Sequence, residues 1–530
     1  MLSCARAAAP WLAAVGLLGL LSGCGAQYRP VVTPINPTGP ASQDQNGNIV
    51  VLSTNSPATS GLATLINGVG DTIMAQATLG NGPFSFAMDS TGSFGYSLNS
   101  NGNTNVTLDA YATSVPAANT GTATGLQTRN VTNSTLTPGS NPTAIFAVTN
   151  NLYLLEPYTA LSPTIPGATN AALAVLSRQV PAATADQVTT APNLQQEIPI
   201  APNPVQFAGT PLSSRIYAIS QGESAATSAG GTVVALDINA CNTPSAVTTP
   251  GEVASIETPV NAVSAHLPVG ICPVFGLMSG DNNRAFIFNR GVDPVLKTST
   301  VTVINVQQNA LDANPSFPKL GTISLPNGIS GQAAGPVHAA IYQPAGLLVT
   351  ANYDAGTVTV INVGLDIYGN DSPNFGTMHT IPVGKGPVAV TILQDGSRAY
   401  VANQTDGTVS VVDLTNFVVK TTIPVFGGAH PDSIASISEI GTGAVFALSK
   451  DSQYITAIRT DTDQVSANIF LQSFGMALRS STDAAGGPSN SPQGGRNGQF
   501  NSIVSSQAAG QGIPCNPVRD PSPFCPTATQ

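Results

Sequence analysis

Residues 387 to 430 read Pro387-Val-Ala-Val-Thr-Ile-Leu-Gln-Asp-Gly-Ser-Arg-Ala-Tyr-Val-Ala-Asn-Gln-Thr-Asp-Gly-Thr-Val-Ser-Val-Val-Asp-Leu414 and continue to Ile423-Pro-Val-Phe-Gly-Gly-Ala-His430. Four short β-branched runs follow one another: Val388 to Leu393, Ala399 to Asn403, Thr408 to Leu414 and Val418 to Val425. Asp395-Gly396, Asp406-Gly407 and Asn416 supply the turns between them. Such a segment predicts a four-stranded antiparallel meander. The same pattern recurs along the chain, each copy announced by a proline: Pro83, Pro142, Pro204, Pro273, Pro336, Pro387 and Pro431. Proline suits the first residue of a strand because it has no N–H to withhold from a ladder. Thr300 to Val306 and Thr357 to Val363 both read Thr-Val-Thr-Val-Ile-Asn-Val.

The stretch Ala399-Tyr400-Val401-Ala402-Asn403 with Asp406-Gly407-Thr408-Val409-Ser410-Val411 resembles the YVTN family of β-propeller repeats, as do residues 336 to 363. The resemblance fades toward the N-terminus. It implies an all-β chain folded as a single propeller of four-stranded antiparallel blades, in a family found largely on or outside prokaryotic cell membranes. It implies little about activity, because propellers carry unrelated functions.

The ends of the array complete each other. Residues 49 to 54, 62 to 66 and 72 to 79 have the form of strands two, three and four of a blade lacking its first strand. Ser473 to Leu478 has the form of a first strand with nothing after it. A composite blade built from both chain ends is expected to close the ring, which removes open sheet edges. The count is then eight blades, with seven the alternative if residues 142 to 200 do not form one. Tandem immunoglobulin-like sandwiches need about 100 residues per unit, and the C-terminal repeats recur in less than half of that. Long insertions at 112 to 140, 156 to 170, 181 to 197, 221 to 230 and 242 to 262 enlarge the early blades, and loops on a rigid ring are where binding is expected.

The 530 residues include only 8% charged side chains, about a third of the usual share. Gly, Pro, Thr, Ser and Asn abound, a composition typical of exported β proteins. The net charge of −10, without a run of Lys or Arg, argues against nucleic acid as a partner. Residues 1 to 23 read as a signal peptide: Arg6, an apolar stretch from Ala7 to Leu21, and Leu21-Ser22-Gly23 before Cys24. The apolar stretch is too short to span a bilayer comfortably. The segment resembles a bacterial lipobox, which implies acylation of Cys24 and attachment to a membrane. By the common sorting pattern, Gly25 after the cysteine favours the outer membrane. Residues 24 to 47 read as a flexible tether, 48 to 480 as the propeller, and 481 to 530 as a low-complexity tail too poor in apolar residues to fold.

Four cysteines remain: Cys241, Cys272, Cys515 and Cys525. In an exported protein the local pairings, Cys241 with Cys272 and Cys515 with Cys525, are expected as disulfides. Neither pair has Cys-x-x-Cys spacing or an adjacent His, so zinc is the weaker reading. His338 in Gly-Pro-Val-His and His430 in Ala-His-Pro-Asp stand at the starts of first strands. With Asp432 they are the candidate ligands for a metal in the channel. A hydrogen-bonded turn histidine is the simpler alternative. Lactonase-type propellers, similar in fold, use such positions. No nucleophile elbow, zinc-protease helix or phosphate loop occurs, and no catalytic residue or cofactor is assigned. The expectation is a lipid-anchored scaffold or binding module for an envelope protein or a polysaccharide. A metal-dependent lactonase and a structural surface-layer component are the alternatives.

Overall fold

In the computed structural model, residues 48–480 are described apart from single-residue to five-residue breaks and longer ones at 114–126, 157–170, 179–190, 222–240 and 242–249. The expected Cys24 anchor and the Cys515–Cys525 pair lie outside the described residues. Eight antiparallel sheets follow each other around a ring, and no α-helix occurs among the described residues.

Blade 1 is the composite. Phe474–Ser480 pairs antiparallel with Asn48–Thr54, which continues into Ser60–Asn67 and Thr72–Asn81. Val50 faces Arg479 and Val51 faces Leu478 in the register. Blade 2 contains Pro83–Met88, Phe94–Asn99, Thr107–Ala112 and Val131–Ser134. Residues 144 to 199 form blade 3, from Ala144–Ala147 through Asn151–Glu156 and Ala172–Ser177 to Asn193–Pro199. The segment that left the count between seven and eight is therefore a blade, and the ring has eight.

Blade 4 corrects the sequence reading. Pro250–Glu257 and Ala262–Ile271 are its third and fourth strands, so residues 242 to 262 are not an insertion. One long connection, 221 to 249, joins its second strand Arg215–Ser220 to its third. Part of the expected insertion at 112 to 140 is also strand: Gln127–Arg129 adds in parallel to the outer edge of blade 1, and Val131–Ser134 completes blade 2. Blades 5 to 8 start at Pro273, Pro336, Pro387 and Pro431.

The proline has a structural consequence. In six blades the register slips just after it, so that the next residue, such as Val337 or Val388, has no opposite number. This bulge bends the innermost strand as it enters the ring. The residue before the proline is left-handed in five blades, at Gly82, Asn203, Cys272, Gly335 and Gly386.

The repeat signature divides into two devices. Asn403 closes the second strand of blade 7, is fully buried, and donates from Nδ2 to Thr408 Oγ1 at 3.1 Å and Ser410 Oγ at 2.8 Å on the third strand. Asn352 does the same to Thr357 and Thr359, and Asn289 to Thr300 and Thr302. A polar ladder thus runs across the blade on one face, with its hydrogen bonds made inside the sheet. The tyrosine three residues earlier reaches the next blade. Tyr400 donates to Asp463, Tyr217 to Asn309 at 3.4 Å, and Tyr153 to Asn261 at 2.5 Å. Each acceptor is left-handed, with φ of 53°, 53° and 51°, and immediately precedes its blade's fourth strand. At the same place Phe417 stacks on His379 of blade 6 at 3.9 Å, and Asp71 of blade 1 accepts from Ser466 of blade 8. One turn position therefore latches neighbouring blades around much of the ring.

Asp463 is 3% exposed and also pairs with Arg398 and, at 2.7 Å, with Lys420. Removing a hydroxyl that donates to a buried carboxylate costs about 1–3 kcal/mol. Tyr400→Phe is expected to lower the thermal midpoint clearly, and Tyr217→Phe, whose bond is long and goes to a neutral acceptor, to lower it less. Calorimetry showing the reverse order would contradict the latch.

Candidate functional site

The end of the ring where the innermost strands begin is also where second strands finish, so the residues just after the second strands meet there. Gln221, Arg290 and Gln404 are buried here, and Tyr353 and Asp354 of blade 6 are half-buried. Gln221 of blade 4 donates to the carbonyl of Pro273 in blade 5 at 3.2 Å. Arg290 of blade 5, 3% exposed, makes a two-pronged pair with Asp354 of blade 6 at 2.9 and 2.6 Å and lies over the Tyr353 ring. Tyr353 is hydrogen-bonded to Thr405 of blade 7. Gln404 of blade 7 donates to Asp432 of blade 8, whose other oxygen accepts the Lys450 backbone N–H at 2.8 Å. A girdle of polar contacts thus links blades 4 to 8 at the channel mouth.

The proposed metal ligands fall into this frame separately. His338 is 2% exposed. Its Nδ1 accepts from the Val390 N–H at 3.3 Å, and its ring packs 4.4 Å from Phe275, so it is wedged between blades 5, 6 and 7. An accepting Nδ1 leaves the proton on Nε2. His430 Nδ1 lies 2.6 Å from Asp451 Oδ2, at the surface of blade 8, and Asp451 also accepts the His430 backbone N–H. Asp432 belongs to the girdle. The three residues therefore have different partners, and among the described residues no set of three or more His, Cys, Asp or Glu side chains is placed to hold a metal ion.

Cys241 and Cys272 form a disulfide, with Cα atoms 5.4 Å apart. It fastens the long connection of blade 4 to the residue before the first strand of blade 5. Both sulfurs belong to the apolar core there, and the Arg290 guanidinium reaches the Cys241 carbonyl at 3.5 Å. The longest connection on the mouth end is thus fixed to the girdle itself.

Two features escaped the sequence reading. Phe426, Tyr454 and Phe470 form a chain of tilted rings, 4.7 and 5.3 Å apart, on the same end of blades 7 and 8, with Phe426 exposed. In blade 3, Glu156 takes the place of the ladder asparagine and is 1% exposed. Burial, reinforced by Glu197, pushes its carboxyl up to about 8, while the Ser140 hydroxyl acts the other way. Only the strand register shows that Glu156 stands where blades 2, 5, 6 and 7 have Asn.

A carboxyl whose folded pKa is raised holds its proton more tightly in the fold than in the unfolded chain. Stability is then full below about pH 4.5 and is lost as pH rises toward about 8. The groups bearing on this carboxyl are Glu197 and Ser140. In metal-free buffer, Glu156→Gln is expected to flatten the fall of the thermal midpoint across that window; a slope unchanged by the substitution would contradict the assignment.

No protein-family model and no curated protein sequence matches the chain. Solved structures do. AztD from Citrobacter koseri in its apo form superposes with a TM-score of 0.50 at 10% identity, over 82% of this chain and 97% of that one. The dihydro-heme d1 dehydrogenase NirN gives a TM-score of 0.50 at 12% identity, over 90% and 80%. The periplasmic gluconolactonase PpgL of Pseudomonas aeruginosa gives 0.46 at 15% identity, over 82% and 98%. At these identities the likeness is one of fold, and the chain is a β-propeller.

Proposed function

We propose that this propeller is a lipid-anchored module of the cell envelope that binds an envelope protein or a polysaccharide, and that its repeats are of the YVTN kind. The observation that carries the reading is the stapled connection at the channel mouth. Loops that bind do so best when part of their ordering entropy has been met beforehand, and the Cys241–Cys272 bond holds one residue of this connection, Cys241, against a girdle of inter-blade contacts. The polar groups of the mouth are spent on joining blades, which suits a stiff platform. Acylation of Cys24, followed by the tether to residue 47, would hold the ring at a set distance from the membrane.

The lactonase reading has one supporting feature, the half-exposed His430–Asp451 pair, which has the form of an oriented general base. Hydrolysis of a gluconolactone that disappears in His430→Ala would move the assignment to that class.

Two measurements test the platform. Cys24→Ser should shift the protein from the membrane fraction to the soluble fraction, and unchanged detergent-phase partitioning would sink the anchor. Replacing residues 222 to 240 with a short Gly-Ser linker should weaken co-sedimentation with purified envelope polysaccharide, or cross-linking to envelope proteins, while leaving the thermal midpoint near the parent value. Retention of all partners would contradict a binding role for that connection.

A further inference from the structure

The polar ladder of the other blades is rewritten in blade 3. In blade 6 Asn352 donates to both Thr357 and Thr359, and Thr359 in turn is bonded to Thr380. The register of blade 3 puts Glu156 opposite Ala172, and Ala174 opposite Glu197, at the corresponding places. Residues 172 and 174 share a face with both carboxylates. Asn–Thr–Thr–Thr has become Glu–Ala–Ala–Glu. The hydroxyls in the middle are gone, replaced by the methyl groups of Ala172 and Ala174.

The segment entering blade 3 from blade 2 brings two hydroxyls to the same spot. Thr137 donates to Glu197 Oε1 at 2.5 Å, and Ser140 lies beside Glu156. Glu156 Oε2 and Ser140 Oγ are both buried without a formed hydrogen bond, and both residues are 1% exposed. The charge acting on Glu156 is that of Glu197, with the same sign. A buried carboxylate facing a second, half-buried one of the same sign is costly to ionise without a counter-charge. A proton on Glu156 is one solution, and a cation between the carboxylates is the other.

We propose that Glu156, Glu197, Ser140 and Thr137 form a calcium site at the junction of blades 2 and 3. The donors are all oxygen, which selects a hard cation, and Ca²⁺ accepts the irregular mixture of carboxylate, hydroxyl, carbonyl and water that such a junction provides. Mg²⁺, with its strict octahedron and tightly held waters, fits less well. The ion would brace the junction at which a carboxylate, rather than the Asn of blades 2, 5, 6 and 7 or the Ser of blades 4 and 8, ends the second strand. Ser134, which donates to the Pro192 carbonyl at 2.8 Å, already joins the outer strands there. The site is independent of what the channel mouth binds.

Calorimetric titration of CaCl₂ into the full-length protein, stripped with EDTA and held at pH 7.5, tests this. One site is expected. Ca²⁺ should raise the thermal midpoint, and MgCl₂ should do so less. Glu156→Gln and Glu197→Gln should each weaken uptake at least tenfold and abolish the midpoint rise, while both remain folded in EDTA. No uptake by the parent protein, uptake unchanged in both variants, or an equal response to Mg²⁺ would overturn the proposal.

Discussion

The ring depends on the pairing of Phe474–Ser480 with Asn48–Thr54. Every blade but this one is continuous in sequence and could form its sheet from local turns. A row of such sheets remains an open stack with two exposed faces until its ends are joined. The joining strand is among the most buried of the molecule: Ala477, Leu478 and Ser480 have no exposed surface, and Arg479 is buried over the ring of Phe86 in blade 2. Loop closure over more than 400 residues costs chain entropy that grows only logarithmically with length, whereas the pairing removes both open faces at once.

Given closure, the inter-blade contacts fall at two radii. Near the axis, the girdle from Gln221 to Asp432 ties the ends of second strands to the next blade, at its innermost strand or at the end of its own second strand. Farther out, tyrosines reach the left-handed residue before the next fourth strand. Between these polar tiers the blades meet through apolar clusters, such as that of Ile49, Val51, Phe446, Leu448 and Leu478. The polar tiers add direction to a packing energy that is itself non-directional, and so they help set the angle at which one blade follows another.

Much of this was legible in the sequence. The prolines located the innermost strands because a residue without an N–H is tolerated there, and the orphan strand at Ser473 to Leu478 had no partner except the incomplete blade at the other end. The Cys241–Cys272 disulfide followed from the expectation of an exported chain and from local spacing. Blade 4 was misread because Pro250–Glu257 and the connection before it are both rich in Gly, Ala and Ser, so periodicity could not mark the boundary. Gln127–Arg129 pairs in parallel with a strand some fifty residues earlier, which no local signal reveals. The site was less legible still. His338 looked like a ligand because position alone was visible, whereas its contacts with Val390 and Phe275 come from other blades. Glu156 was invisible because its meaning lies in register, where an acid stands in a row of Asn and Ser.

Hydrogen exchange resolved by peptide tests the central claim most directly. If chain ends close the ring, amides of residues 474 to 480 and 48 to 54 exchange together, and as slowly as those of the continuous blade strand Pro387–Ile392. Fast exchange of 474 to 480 alongside a protected 387 to 392 would mean that the last strand is not part of the ring, and the account of closure would fail.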